Sequence, residues 1–201
     1  MLIQRTLLRG FTLVEVMVSL TIVGALLAMG IPSVSAMVQN SKLGSATKSY
    51  TAGIQTARTE AIRRNATVDF VLTNAAVAAT PTPSANGRNW VVRWSDAGTP
   101  ALLDGKAGTD GSGQSGSTSI TIAGTVTAPT AGAFSGVLSF NGFGAVTSGE
   151  TLRFVVENPA GGTCATAGGT MRCQVIQVRP GGQVNVCDPK ASAGDSRACP
   201  A

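Results

Sequence analysis

The chain has 201 residues, of which 25 are glycine and only 12% are charged, with a formal net charge of +5. It contains no histidine, which excludes His-based catalytic triads, histidine general bases and His-containing zinc sites. Length and composition predict one globular, loop-rich β domain, no cofactor and no enzymatic activity.

From the N-terminus, Arg5 and Arg9 precede an apolar tract. No charge occurs from Val16 to Ile31, and with 11–14 in front and 33–38 behind, the tract meets the length of a membrane helix. Lys42 is the first charge after Glu15, so the bias of basic residues holds the short N-terminus in the cytoplasm and sends the rest outward. A secretory signal peptide would also have a basic start, an apolar run and small residues such as those at 33–36. Glu15 argues against it. A carboxylate costs roughly 2.5–3.5 kcal/mol at the centre of a membrane helix, and charges there have partners.

Gly10 followed by Phe11-Thr12-Leu13-Val14-Glu15 resembles the class III leader of type IV pilins and pseudopilins, with no departure. The resemblance implies that a prepilin peptidase cuts after Gly10 and that the new N-terminal Phe11 is methylated. It also implies that the Glu15 carboxylate neutralises the α-amine of a neighbouring subunit in a filament, two charges that are costly apart and tolerable as a pair. The implied location is the bacterial inner membrane, single-pass with a periplasmic domain, and then the pilus or pseudopilus.

Pro32, with Gly30 close by, predicts a kink or local opening of the helix; local melting there during assembly is what the resemblance implies. Beyond it Leu43, Ala46, Tyr50, Ile54, Ala57 and Ala61 recur at intervals of three or four, one stripe that lies on a core. Lys42, Lys48, Arg58, Glu60, Arg63 and Arg64 fall largely off it. A continuous helix over residues 11–65 is about 80 Å long. The expected organisation is a leader at 1–10, a transmembrane and assembly helix at 11–39, its amphipathic half at 40–66, and a β domain at 67–201.

Downstream, period-two alternation or short apolar runs predict strands at 68–72, 90–94, 119–126, 137–140, 151–156, 174–178 and 183–186. The fold class is therefore α+β, pilin-like: a long N-terminal helix packed on a C-terminal antiparallel β domain. The stretches 75–87, rich in Ala, Thr and Pro, and 105–119, rich in Gly and Ser, read as surface loops or partly disordered insertions.

Cys164, Cys173, Cys187 and Cys199 lie beyond the membrane tract, and an even count in an exported domain reads as two disulfides. Three pairings are open. If 174–178 and 183–187 pair across the Arg179-Pro180-Gly181-Gly182 turn, Cys173 falls off the register from Cys187; this favours Cys164 with Cys173 and Cys187 with Cys199. Zinc is disfavoured, because spacings of 9, 14 and 12 supply no paired Cys-x2-Cys knuckle.

The helix end 57–65, the segment 90–96, the Ser139–Gly144 strand and turn, and the Cys187-Asp188-Pro189 tail resemble the minor pilin and pseudopilin group that includes FimT, FimU and GspH. Membership implies a low-abundance subunit that initiates or caps a type IV pilus, with other minor and major pilins as partners through the N-terminal helix. The alternatives are a GspH-like pseudopilin of type II secretion and a DNA-binding pilin for natural transformation. DNA is the less favoured partner: DNA-uptake members of the group carry a Gly-Arg-x-Arg hairpin, whereas this chain has Gly182-Gln183-Val184-Asn185. Arg179, Lys190 and Arg197 remain as candidate phosphate contacts, and loss of the leader lowers the net charge from +5 to +3. Asp104 and Asp110 lack EF-hand spacing, and Gly105-Lys106 lacks the preceding Gly and following Ser or Thr of a P-loop. Nothing in the spacing of Glu150, Glu157, Asp188 and Asp195 favours paired catalytic acids over ordinary surface charge.

Overall fold

The computed structural model describes residues 10–96, 98–108, 121–128 and 132–200, and among these the side chains of all but 28–33, 96 and 128. Among the described residues one α-helix, α1 (Leu13–Arg64), is followed by nine strands and two short 3-10 helices. The chain divides into two compact units at Met37 and Val38.

In the first unit the described part of α1 is largely apolar and exposed: Leu13, Leu20, Leu26 and Leu27 all present their side chains to the surroundings, as does Phe11 just before it. In the second unit the helix is amphipathic. Leu43, Tyr50, Ile54, Ala57 and Ala61 are buried and Ala46 partly so, the consequence of apolar residues recurring on one side of a 3.6-residue turn. Glu60 bonds Arg63 and Arg64 on the outer side, with Oε2 at 2.6 and 2.8 Å, and these two cations sit in the last turn, where the helix dipole favours them. Asn65 then takes a left-handed φ of 47°, a conformation Asn tolerates at a helix end.

A four-stranded antiparallel sheet has the order β3-β2-β1-β6, from β1 (Val68–Thr73), β2 (Asn89–Asp96), β3 (Thr99–Lys106) and β6 (Val137–Phe140). A five-stranded antiparallel sheet has the order β5-β4-β7-β8-β9, from β4 (Thr121–Ala128), β5 (Gly132–Ala133), β7 (Thr151–Glu157), β8 (Gln174–Val178) and β9 (Val184–Cys187). Alternate residues of both sheets, among them Phe70, Phe140, Phe154 and Ile176, form one core with the helix stripe. Phe70 stacks on Trp90 at 6.0 Å between centroids, and Phe134 meets Phe154 edge-on at 5.2 Å. Helical Gly53 makes the first stack fit: a Cβ there would stand 2.8 Å from the Trp90 ring.

Several features depart from the sequence reading. Strands β3 and β5 were not predicted. The 105–119 stretch contributes Gly105 and Lys106 to β3, and 109–120 lie outside the described residues, including 119–120 of the predicted strand 119–126. The last strand begins at Val184 rather than 183 and includes Cys187. The 75–87 stretch is a surface segment bonded to the four-stranded sheet. Thr73 Oγ1 donates to the Thr82 carbonyl at 2.7 Å and Asn89 Nδ2 to the Ala75 carbonyl at 2.7 Å, while Pro81 is buried. Val71 and Val91 are buried on the face opposite Phe70 and Leu72, where Val77 lies near Gly105.

Candidate functional site

At the N-terminal end, Thr12 caps α1: its carbonyl accepts the amide of Val16 and its Oγ1 accepts the amide of Glu15, both at 3.2 Å. Ser, Thr, Asp and Asn are the side chains that satisfy such orphan amides, so the Thr12-x-x-Glu15 spacing starts the helix and places Glu15 in its first turn. Among the described residues no cation lies within ion-pair distance of Glu15. Gly10 and Phe11 precede the helix, and Phe11 is 83% exposed. Further along, Ser19 Oγ donates to the Glu15 carbonyl at 2.7 Å and Thr21 Oγ1 to the Val18 carbonyl at 2.8 Å. Both hydroxyls are thus satisfied within the helix, as an apolar surrounding demands.

Among the described residues no helix is long and apolar enough to cross a membrane. The predicted tract runs through 28–33, whose side chains are outside the described set; its described uncharged part, 16–27, is shorter than the ~20 residues a span needs. Pro32 lies within α1, and its side chain is likewise outside that set.

The cysteines pair as Cys164–Cys173 and Cys187–Cys199, with Cα separations of 5.5 and 4.8 Å. The β8–β9 register sets Val175 opposite Cys187, so Cys173 lies two residues beyond its reach. The first loop is fastened to the helix in the second unit: Arg172 N donates to Asn40 Oδ1 at 2.8 Å, and Asn158 Nδ2, just upstream, donates to Gln39 Oε1 at 2.9 Å. In the second loop Asp188 N donates to the Arg197 carbonyl and Asp188 Oδ1 accepts the Lys190 amide, both at 2.8 Å.

The two loops enclose a cleft of about 370 Å³ lined by Thr166, Thr170, Arg172, Asp188, Lys190 and Arg197, with Cys173 among its walls. Of the three basic residues singled out in the sequence, Lys190 and Arg197 therefore come together and Arg179 does not. Arg179 opens the β8–β9 turn, where its carbonyl accepts Gly182 N at 2.8 Å. That turn is crowded against a second one, the Gly144 carbonyl lying where a Cβ on Gly182 would go, and Arg58 Nε donates to the same carbonyl at 3.1 Å. Gln183 and Asn185 are exposed and uncharged. Arg172 was missed by sequence reasoning, although a cation next to a cysteine that closes a loop is held at a fixed place.

Arg197 grips Asp195 through Nη2 at 2.8 Å and Nε at 3.2 Å. These hydrogen bonds hold the Asp195 carboxyl down at about 2, well below its ordinary value. No cluster of three or more metal-capable side chains occurs among the described residues. Asp104 Oδ1 accepts the amide of Gly105 at 2.8 Å, and Asp110 is outside the described residues.

Residues 46–191 match the family described as Type II transport protein GspH, and residues 8–31 match the Prokaryotic N-terminal methylation motif. Among solved structures, the type IV minor pilin FimU of Pseudomonas aeruginosa strain PAO1, in space group P21, is similar with a TM-score of 0.53 and 14% identity, covering 79% of this chain and 97% of that one. A second crystal form of FimU, in space group P65, gives 0.48 and 15%, covering 75% and 97%. No curated protein sequence matches the chain. At 14% identity the likeness to FimU speaks to the fold, an N-terminal helix with antiparallel sheets.

Proposed function

The chain belongs to the Type II transport protein GspH family, and from that premise we propose that it is a minor pilin that initiates or caps a type IV pilus. Family and fold are those of structural pilin-like proteins rather than enzymes. In this reading the leader 1–10 is removed after Gly10, Phe11 is methylated, and residues 11–39 anchor the chain in the inner membrane before joining the filament. Residues 40–66 and 67–201 then form the periplasmic part. Other pilins are the partners through the N-terminal helix, and the prepilin peptidase is the processing enzyme.

The observation that carries the reading is Glu15. It stands in the first turn of an exposed apolar helix, with no cation beside it among the described residues. A carboxylate so placed is stabilised by a charge from outside the chain, and the α-amine of a neighbouring processed Phe11 has the right sign and depth. Glu15→Ala is therefore expected to leave insertion and processing intact while reducing the protein recovered in sheared filaments at least about tenfold, the factor that ~1.4 kcal/mol gives. Wild-type incorporation would refute the charge pair.

The family match itself favours a second reading, a pseudopilin of type II secretion. A deletion strain separates the two: lost surface pili and twitching mark the pilus, and exoproteins retained in the periplasm mark secretion. DNA uptake is the third, supported only by Arg172, Lys190 and Arg197 at one cleft; Arg179 is outside it and Gln183 and Asn185 carry no charge.

A further inference from the structure

The proposed assembly through the N-terminal helix leaves the cleft between the two disulfide-closed loops without an assigned role. Its walls are fixed: Cys164–Cys173 closes one, Cys187–Cys199 the other, and the first is also held on the helix by Asn40. At about 370 Å³ it falls at the lower end of the range for small-ligand sites, about 300–1,000 Å³.

Its charges are mixed. Among the described residues Arg172 and Lys190 have no ion-pair partner, whereas Arg197 is held by Asp195. Asp188 stands in the same lining with the hydroxyls of Thr166 and Thr170. Three cations against the carboxylates of Asp188 and Asp195 leave a net charge of +1. A nucleic-acid backbone draws its affinity from many uncompensated cations, and its phosphates would be repelled by Asp188. A polyhydroxylated acid suits both signs. Its carboxylate meets Arg172 and Lys190, and its hydroxyls donate to Asp188 and exchange hydrogen bonds with the threonines.

We infer that this cleft binds an acidic saccharide residue of the uronate type, as part of an anionic polysaccharide. The carboxylate is held by Arg172 and Lys190, and Asp188 selects for a hydroxyl-bearing ligand. The inference stands whether the filament is a pilus or a secretion pseudopilus.

The test is calorimetric titration of the full-length protein in non-ionic detergent micelles with trigalacturonate, its neutral methyl ester and a short single-stranded DNA. Trigalacturonate is expected to bind, with the ester and the DNA each at least about tenfold weaker. Arg172→Gln should weaken trigalacturonate at least about tenfold, the loss of a charge-assisted hydrogen bond. Asp188→Asn gives the deciding sign. The amide keeps an oxygen for the Lys190 amide, so the loop is retained, but a hydroxyl bound to a carboxylate is lost and saccharide affinity should fall about fivefold. Tighter binding by Asp188→Asn would mark a plain anion site and overturn the inference. So would a preference for DNA, equal binding of the neutral ester, or no binding of trigalacturonate. Thiol labelling that finds all four cysteines oxidised shows that a variant has folded, and if neither does, the three ligands with the wild-type protein decide.

Discussion

The two units of the chain treat apolar surface in opposite ways. In the first, Leu20 and Leu26 are each 66% exposed; in the second, Phe70, Phe140 and Phe154 are fully buried. The same helix thus relies on different interactions along its length. Its described early turns are held by their own hydrogen bonds and by the Thr12 cap, and its later turns by a stripe set against two sheets. Within proteins most helical stability comes from tertiary packing, so an exposed apolar helix needs lipid or other helices around it.

The comparison is broken most directly by truncating one side chain in each unit. Phe154→Ala should cost about 3–5 kcal/mol in thermal or denaturant unfolding, because the ring is fully buried and meets Phe134 edge-on. Leu20→Ala should stay within about 0.5 kcal/mol in the same assay; a large loss there would mean that the first unit is packed on something. A loss at the lower end of that for Phe154→Ala follows from opening the Cys187–Cys199 loop, whose sequence separation is 12. Replacing both by Ser should cost about 3 kcal/mol and leave insertion through the N-terminal tract unchanged, as membrane fractionation would report.

The smallest effect at ordinary pH, and the most local readout, comes from Tyr50. It is the sole tyrosine of the chain; burial pushes its phenol up to about 12, with Arg88 pulling weakly the other way, and its hydroxyl donates to the Arg88 carbonyl at 2.9 Å. A raised pKa favours the protonated folded form. Its contribution is therefore fully present below the unfolded value near 10 and is lost as pH rises toward 12. Tyrosinate absorbance of the folded protein should have its midpoint near 12, and a midpoint near 10 would show that the helix stripe is loose at Tyr50.

The parts legible in the sequence are those with a strong period or a chemically improbable residue. The stripe from Leu43 to Ala61 was readable because its burial follows helical spacing, and β7 because Leu152, Phe154 and Val156 alternate inward. β3 was not. Pro100, Asp104 and Gly105 interrupt any alternation, none of its side chains is fully buried, and it is an edge strand whose pairing is set by β2. The 75–87 stretch looked featureless because its order comes from Thr73 and Asn89 outside it. At the cleft, Lys190 and Arg197 were visible as nearby charges; that they converge with Arg172, and that Arg179 is drawn off to another turn, depends on loop closure that no local pattern encodes.

Ser19 and Thr21, the hydroxyls of the early helix, spend their protons on carbonyls of the preceding turn. Transfer of that stretch from one oily medium to another therefore makes and breaks no hydrogen bond at either residue. The medium can change from lipid tails to protein side chains at almost no polar cost, and the one described group in the early turns that registers the change is the carboxylate at Glu15.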